Sequence, residues 1–296
     1  MESKQNITSD FHGNSLQNIY VQAINYHTKG NVSEASKYYL YLINRGVEDF
    51  RVFSNYGAIL RDIGNLEEAE LFTRKAIKLN PKYPNAHVNL GNILRDKGNF
   101  KEAELSTRKA IELDPVSLQA LLNLGTILQN LGEIEEAELI TRKALKINPN
   151  LEIIHSNLGN ILRIQGKLEE AELFTRKAIK LNPNFAVAHC NLGGILKDLG
   201  KLKEAESSTR TALEINPDSA DAHNHLGNIL MELDDLDGAI SHYKKVIAID
   251  KRRLDAIYGY GQILLKKGNH PEGLTKIRKA IGSIGFNPKS SSIKIY

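Results

Sequence analysis

Small and apolar side chains recur along this chain in one fixed phase. Ala35, Ala69, Ala103, Ala137, Ala171, Ala205 and Ala239 stand 34 residues apart without slippage. A strict period of this size specifies a stack of like supersecondary units. With each alanine at position 20, eight units begin at residues 16, 50, 84, 118, 152, 186, 220 and 254 and fill 16–287. Within a unit, positions 3, 7, 10 and 11 are apolar, as in Ala86, Leu90, Ile93 and Leu94. That spacing marks one buried helix face.

Punctuation divides each unit into two helices. Glycine recurs at position 15, from Gly30 and Gly64 to Gly268, where a left-handed residue closes a helix. Proline at position 32, as in Pro81, Pro115, Pro149, Pro183 and Pro217, ends a second helix. The pattern predicts helix A over positions 1–14 and helix B over 17–30. Position 8 is small in every unit, usually glycine (Gly57, Gly91, Gly125, Gly159, Gly193). Mid-helix glycine costs about 1 kcal/mol against alanine, so another helix is expected to approach there, with alanine 20 as its partner. Threonine holds position 24 in five interior units and is read as tighter interior packing, its hydroxyl returning to a carbonyl one turn earlier. Asn31/Glu34, Asn65/Glu68, Asn99/Glu102 and Asn269/Glu272 have capping-box spacing.

These marks resemble the tetratricopeptide repeat family: Leu90-Gly91, then Ala103, Ala110 and Pro115, repeating in phase over about nine tenths of the chain. The resemblance implies an all-α, right-handed superhelical solenoid of eight helix-turn-helix repeats. Its concave groove, lined by the A helices, would bind peptide segments of other proteins. The chain then divides into a disordered arm (1–15), the solenoid (16–287) and a C-terminal tail (288–296), in which Ile293, Ile295 and Tyr296 are placed to cover the open end.

The groove-facing stripe of helix A, positions 2, 6, 9 and 13, is polar. Position 6 reads Asn55, Asn89, Asn123, Asn157 and Asn191 in five successive units, then His225, and position 9 adds Asn92, Asn160 and Asn228. Asparagine is a poor mid-helix residue, and its amide both donates and accepts. The row resembles the asparagine ladder in the repeat superhelices of O-linked N-acetylglucosamine transferases, which implies a sequence-tolerant grip on an extended peptide. Copying by repeat duplication is the competing explanation. Arg61, Arg95, Arg163 and Lys197 at position 12, beside Asp62, Asp96, Asp198 and Glu232 at position 13, fit either selectivity for a mixed-charge ligand or a solvated rim. Position 5 lacks the lysine of the chaperone-binding subclass, so capture of a chaperone C-terminal carboxylate is not expected.

The remaining chemistry narrows the reading. Net charge is +4, too small to imply a polyanion partner, and helix B arginines follow a glutamate four residues earlier, as in Glu70/Arg74. Histidines at position 4 (His87, His155, His189, His223) are spread one per unit, not gathered as metal ligands. Cys190, the single cysteine, suits a reducing compartment, and neither a signal peptide nor a membrane-spanning run is present, so a cytoplasmic location is expected. No cofactor motif appears. Since the repeats leave little chain for catalysis, the sequence predicts a non-enzymatic scaffold binding an extended peptide or partner protein, without nucleic acid or membrane. The alternatives are a substrate-recruiting subunit for a separately encoded glycosyl- or methyltransferase, or a nucleic-acid-binding helical repeat. Partner identity and oligomeric state are not encoded in any motif.

Overall fold

The computed structural model describes residues 15–281 and the backbone of 284–287 and 292–295. The expected disordered arm, and the side chains expected to cover the open end, lie outside the described residues. The chain divides into two units, Met1–Pro149 and Asn150–Tyr296. The first holds α1 (Leu16–Thr28), α2 (Val32–Asn44), α3 (Phe50–Asp62), α4 (Leu66–Leu79), α5 (Pro84–Asp96), α6 (Phe100–Leu113), α7 (Leu118–Leu131) and α8 (Ile134–Ile147). The second holds α9 (Glu152–Ile164), α10 (Leu168–Leu181), α11 (Ala186–Asp198), α12 (Leu202–Ile215), α13 (Ala220–Glu232), α14 (Leu236–Ile249), α15 (Leu254–Lys266) and α16 (His270–Ile281). A strand pair follows, β1 (Ile284–Asn287) and β2 (Ser292–Ile295), antiparallel with Phe286 opposite Ile293. Within each unit every helix packs on the next, and A helices one repeat apart also touch, α3 with α5 and α5 with α7 in the first unit, and α9 with α11, α11 with α13 and α13 with α15 in the second.

The helix ends follow the punctuation. Each glycine at position 15 has a positive φ, between 73° and 82°. Unit seven has Asp234 there instead, held at φ 65°. An L-residue in that region costs roughly 1 kcal/mol, so Asp234→Gly is expected to raise stability by about 0.5–1 kcal/mol in chemical denaturation. Its exposed ion pair with Lys266 subtracts little.

The pin between A and B helices differs from expectation. A Cβ placed on Gly193 would run into Thr209 Oγ1, with the Ala205 carbonyl oxygen at 3.3 Å. Gly57, Gly91, Gly125 and Gly159 meet Thr73, Thr107, Thr141 and Thr175 in the same way. The partner of glycine 8 is therefore threonine 24, while alanine 20 contributes its carbonyl. The expected back-bond forms at four of the five threonines: Thr107, Thr141, Thr175 and Thr209 each donate to the alanine carbonyl one turn earlier at 2.8 Å, whereas Thr73 Oγ1 is buried without a hydrogen-bond partner. Where tyrosine replaces threonine, Gly227 and Gly259 both lie against the Tyr243 ring.

The capping boxes form only in part. Asn31 accepts from the Glu34 amide. Asn65 and Asn269 instead donate to the Glu68 and Glu272 side chains, and Asn99 makes no cap bond, its Glu102 reaching Arg74 in the preceding repeat. An arginine on the B helix of the preceding repeat draws the glutamate away from the local cap.

Candidate functional site

The position-6 asparagines are anchored by what the preceding repeat offers. Asn89 Nδ2 donates to Ser54 Oγ at 3.0 Å and to the Ser54 carbonyl at 3.1 Å. Asn191 Nδ2 donates to Ser156 Oγ at 3.0 Å. His225 Nδ1 lies 3.3 Å from the Cys190 carbonyl and 3.8 Å from its Sγ. Each pair is 35 residues apart, position 6 reaching position 5 of the repeat before. For Asn123 that neighbour is Val88, which offers no side-chain acceptor. Asn123 turns inward instead, donates to Thr107 Oγ1 at 3.3 Å and accepts from Arg95 at 2.9 Å. It is 4% exposed and serves the interior. Asn55 likewise donates to Tyr39 Oη at 3.2 Å.

Asn89 thus donates twice to the fold, and Asn191 once. A carbonyl can only accept, so the Ser54 contact fixes which atom of Asn89 is nitrogen. Among the described residues no donor reaches Oδ1 of Asn89 or Asn191, which leaves an acceptor on each. Asn157 is half-buried, as are Asn160 and Asn228, and Asn228 accepts from Tyr243 Oη at 2.7 Å. Asn92 is buried.

The basic and acidic positions pair across repeats. Arg61 reaches Asp96 at 3.4 Å, Arg163 reaches Asp198 at 2.6 Å and Lys197 reaches Glu232 at 3.3 Å, again 35 residues apart. Arg95 finds Asn130 at the matching place and bends to Asn123 and Asp96 instead. These charges are largely neutralised before any ligand arrives. The B-helix arginines are held similarly: Arg74, Arg108, Arg142 and Arg176 bind the expected glutamate four residues earlier. Three of them also reach a glutamate in the next repeat, which local spacing does not reveal. Hydrogen bonding to Arg108 holds the Glu136 carboxyl below its usual range.

In the second unit the A-helix face opens into a cleft of about 290 Å³, lined by Asn160, Arg163, Cys190, Asn191, Asp221 and His225. Gly194 stands at position 9, where Asn160 and Asn228 stand elsewhere. A Cβ there would lie 2.6 Å from Arg163 Nη1 and 2.9 Å from His225 Cε1, so the bare glycine admits both groups. Burial pushes the Cys190 thiol up to about 12, which keeps it protonated and poorly nucleophilic. Burial, then the Arg163 charge, pushes His225 down, so its imidazole is neutral. Among the described residues no group of three His, Cys, Asp or Glu is arranged to hold a metal, and no helix is long and apolar enough to cross a membrane.

The position-4 histidines brace the turns between repeats. His87, His189 and His223 place Nε2 at 2.8–3.0 Å from the carbonyls of Pro81, Pro183 and Pro217. His223 Nε2 must therefore donate, its Nδ1 is bare, and His242 Nδ1, 2.8 Å away, donates to it. Burial lowers both pKa values, that of His242 to about 4, with the neighbouring His223 and the charges of Lys245 and Arg210 adding to the effect and Asp235 opposing it. Folding thus favours the neutral form. The stabilisation is complete above the unfolded value near 6.5 and is lost as pH falls towards 4. Urea midpoints measured from pH 7.5 to 5 should fall, and His242→Ser should flatten that fall.

Comparison with known proteins follows the same lines. Tetratricopeptide repeat family models match residues 84–115, 153–185 and 220–252, and a second set matches 50–83 and 118–151. Further repeat models cover 174–207 and 193–234. No curated protein sequence matches the chain. Among solved structures, the crystal structure of the APC/C hetero-tetramer Cut9-Hcn1 contains a similar chain (TM-score 0.74, 17% identity over 86% of this chain and 50% of that one). This chain therefore spans half of that protein's length. A tetratricopeptide repeat protein from Parabacteroides merdae is similar (TM-score 0.70, 16% identity, covering 84% and 98%). So is Pseudomonas aeruginosa pilF (TM-score 0.59, 20% identity, covering 73% and 97%). At these identities the likeness concerns the fold, a helical-repeat solenoid.

Proposed function

Because the chain belongs to the tetratricopeptide repeat family, we propose that it is a non-enzymatic scaffold whose A-helix groove holds an extended segment of a partner protein. Repeats of this family generally mediate protein–protein interaction. The observation that carries the finer reading is the orientation of Asn89 and Asn191. Asn89 donates twice and Asn191 once to serines of the preceding repeat, and among the described residues no donor reaches their Oδ1 atoms on the polar face of the A helices. A fixed acceptor of this kind suits a main-chain N–H group of a peptide and asks little of its side chains. Asn157 stands at position 6 of the repeat before Asn191. The cleft at Arg163, Cys190 and His225 supplies one place of side-chain selectivity. The paired states of Arg61, Arg163 and Lys197 argue against a polyanion as ligand. The single buried cysteine fits a reducing compartment, the cytoplasm.

Photo-crosslinking tests the reading. A benzophenone amino acid at Asn157, and separately at Asn191, should capture one continuous unstructured segment of a partner chain. Capture of folded surfaces, or of RNA, would sink it.

A further inference from the structure

Copying of repeats accounts for positions that stay alike along this chain, but not for those that depart. Three departures meet in the second unit. Position 6 reads His225 where Asn157 and Asn191 stand in the two repeats before it, and position 9 reads Gly194 between Asn160 and Asn228. Position 5 reads Cys190, whose carbonyl receives His225. Cys190 and His225 line the cleft of about 290 Å³ on the A-helix face, with Arg163 and Asn191.

No helix contact requires Gly194 to be glycine. Its neighbour Gly193 makes room for Thr209 of α12. The three atoms nearest a Cβ on Gly194 belong instead to the Arg163 guanidinium and the His225 ring. A second mid-helix glycine costs about 1 kcal/mol against alanine. What it provides is a place where a guanidinium and an imidazole meet beside the cleft.

The partners of each group settle what it still offers. The Cys190 carbonyl only accepts, so His225 Nδ1 carries the hydrogen and Nε2 presents a lone pair. Among the described residues no donor reaches that Nε2. Arg163 spends Nε on Asp198 at 2.6 Å, and its two Nη groups make no hydrogen bond among the described residues. Asp221, also in the lining, is paired with Arg253 at 2.8 Å. Formal charges are thus matched, and what stays open is a pair of donors beside the acceptors His225 Nε2 and Asn191 Oδ1. A carboxylate guest would face those acceptors and Asp221. An ammonium guest would face Arg163. An aliphatic guest would leave donor and acceptor unpaired. A primary amide satisfies both, its oxygen accepting from Arg163 and its NH2 donating to His225. Val187, 52% exposed, walls the cleft and covers the methylenes of such a side chain.

We propose that this cleft reads a glutamine or asparagine side chain of the segment held in the groove. The proposal rests on the groove reading above and adds to it one chemical preference.

The test is fluorescence anisotropy on the full chain with short alanine–serine peptides whose central residue is glutamine, glutamate, lysine or leucine. The glutamine peptide should bind about tenfold or more tighter than each of the others. Gly194→Asn installs the residue that both flanking repeats carry at position 9, so the helix is retained. Its side chain takes the space of the Arg163 and His225 tips and should bring the four peptides within about twofold of one another. Asn157→Ala should weaken all four alike and keep the preference. Equal binding of the four peptides, still weakened by Asn157→Ala, would overturn the amide site and leave the groove standing. Binding of none would overturn both. A preference for glutamate, or a glutamine preference that survives Gly194→Asn, would also overturn the proposal.

Discussion

Gly193→Val is expected to destabilise the protein by about 3 kcal/mol, the upper range for overpacking a close helix contact. The size follows from position: any Cβ at residue 193 enters the space of Thr209 Oγ1, which is itself fixed by its bond to the Ala205 carbonyl. The hydroxyl cannot swing away without losing that bond inside a buried site. The cause can be isolated with a milder pair. Gly193→Ala should be destabilising although alanine is the better helix former by about 1 kcal/mol. Thr209→Ala removes the obstructing oxygen, so the double variant should be at least about 1 kcal/mol more stable than the two single effects predict. Urea denaturation of the four proteins measures this. Additivity would mean that the glycine is kept for some reason other than threonine 24.

The second large effect concerns binding. Replacing Asn157 and Asn191 together by alanine should lower affinity for the groove-bound segment roughly 30-fold, at about 1 kcal/mol for each hydrogen bond lost. Stability should change little, because alanine's helix propensity offsets much of what the serine contacts contribute. Asn123→Ala should do the reverse. It removes the acceptor of Arg95 and a donor to Thr107 in the interior, so it should cost stability of about 1–2 kcal/mol. Binding through neutral acceptors should also vary little with salt, whereas a nucleic-acid ligand would dissociate steeply as salt rises. Isothermal titration with the crosslinked segment gives both comparisons.

Sequence reading succeeded where the signal was local. Helix ends, left-handed glycines and the threonine back-bond all depend on residues within one turn, and they appear where the 34-residue phase put them, apart from the back-bond of Thr73. It fell short where partners lie one repeat away. Asn89 and Asn123 look alike in sequence, yet one faces Ser54 and the other Val88, and that difference alone sends one amide to the surface and the other inward. The polar–apolar alternation at position 5 (Ser54, Val88, Leu122, Ser156, Cys190) was the available clue. Arg61 with Asp96, and His87 with the Pro81 carbonyl, were likewise visible only once successive repeats were stacked. The capping boxes failed for the same reason, since Glu102 had a better partner in the neighbouring helix.

The central claim is that fixed asparagine acceptors hold the main chain of a bound segment. Backbone N-methylation of that segment tests it most directly, because it removes N–H donors while leaving every side chain in place. The account predicts that methylating the amides facing Asn157 and Asn191 weakens binding about 30-fold, while alanine replacement of the side chains between them costs little. Equal affinity for the methylated and unmethylated peptides would contradict it.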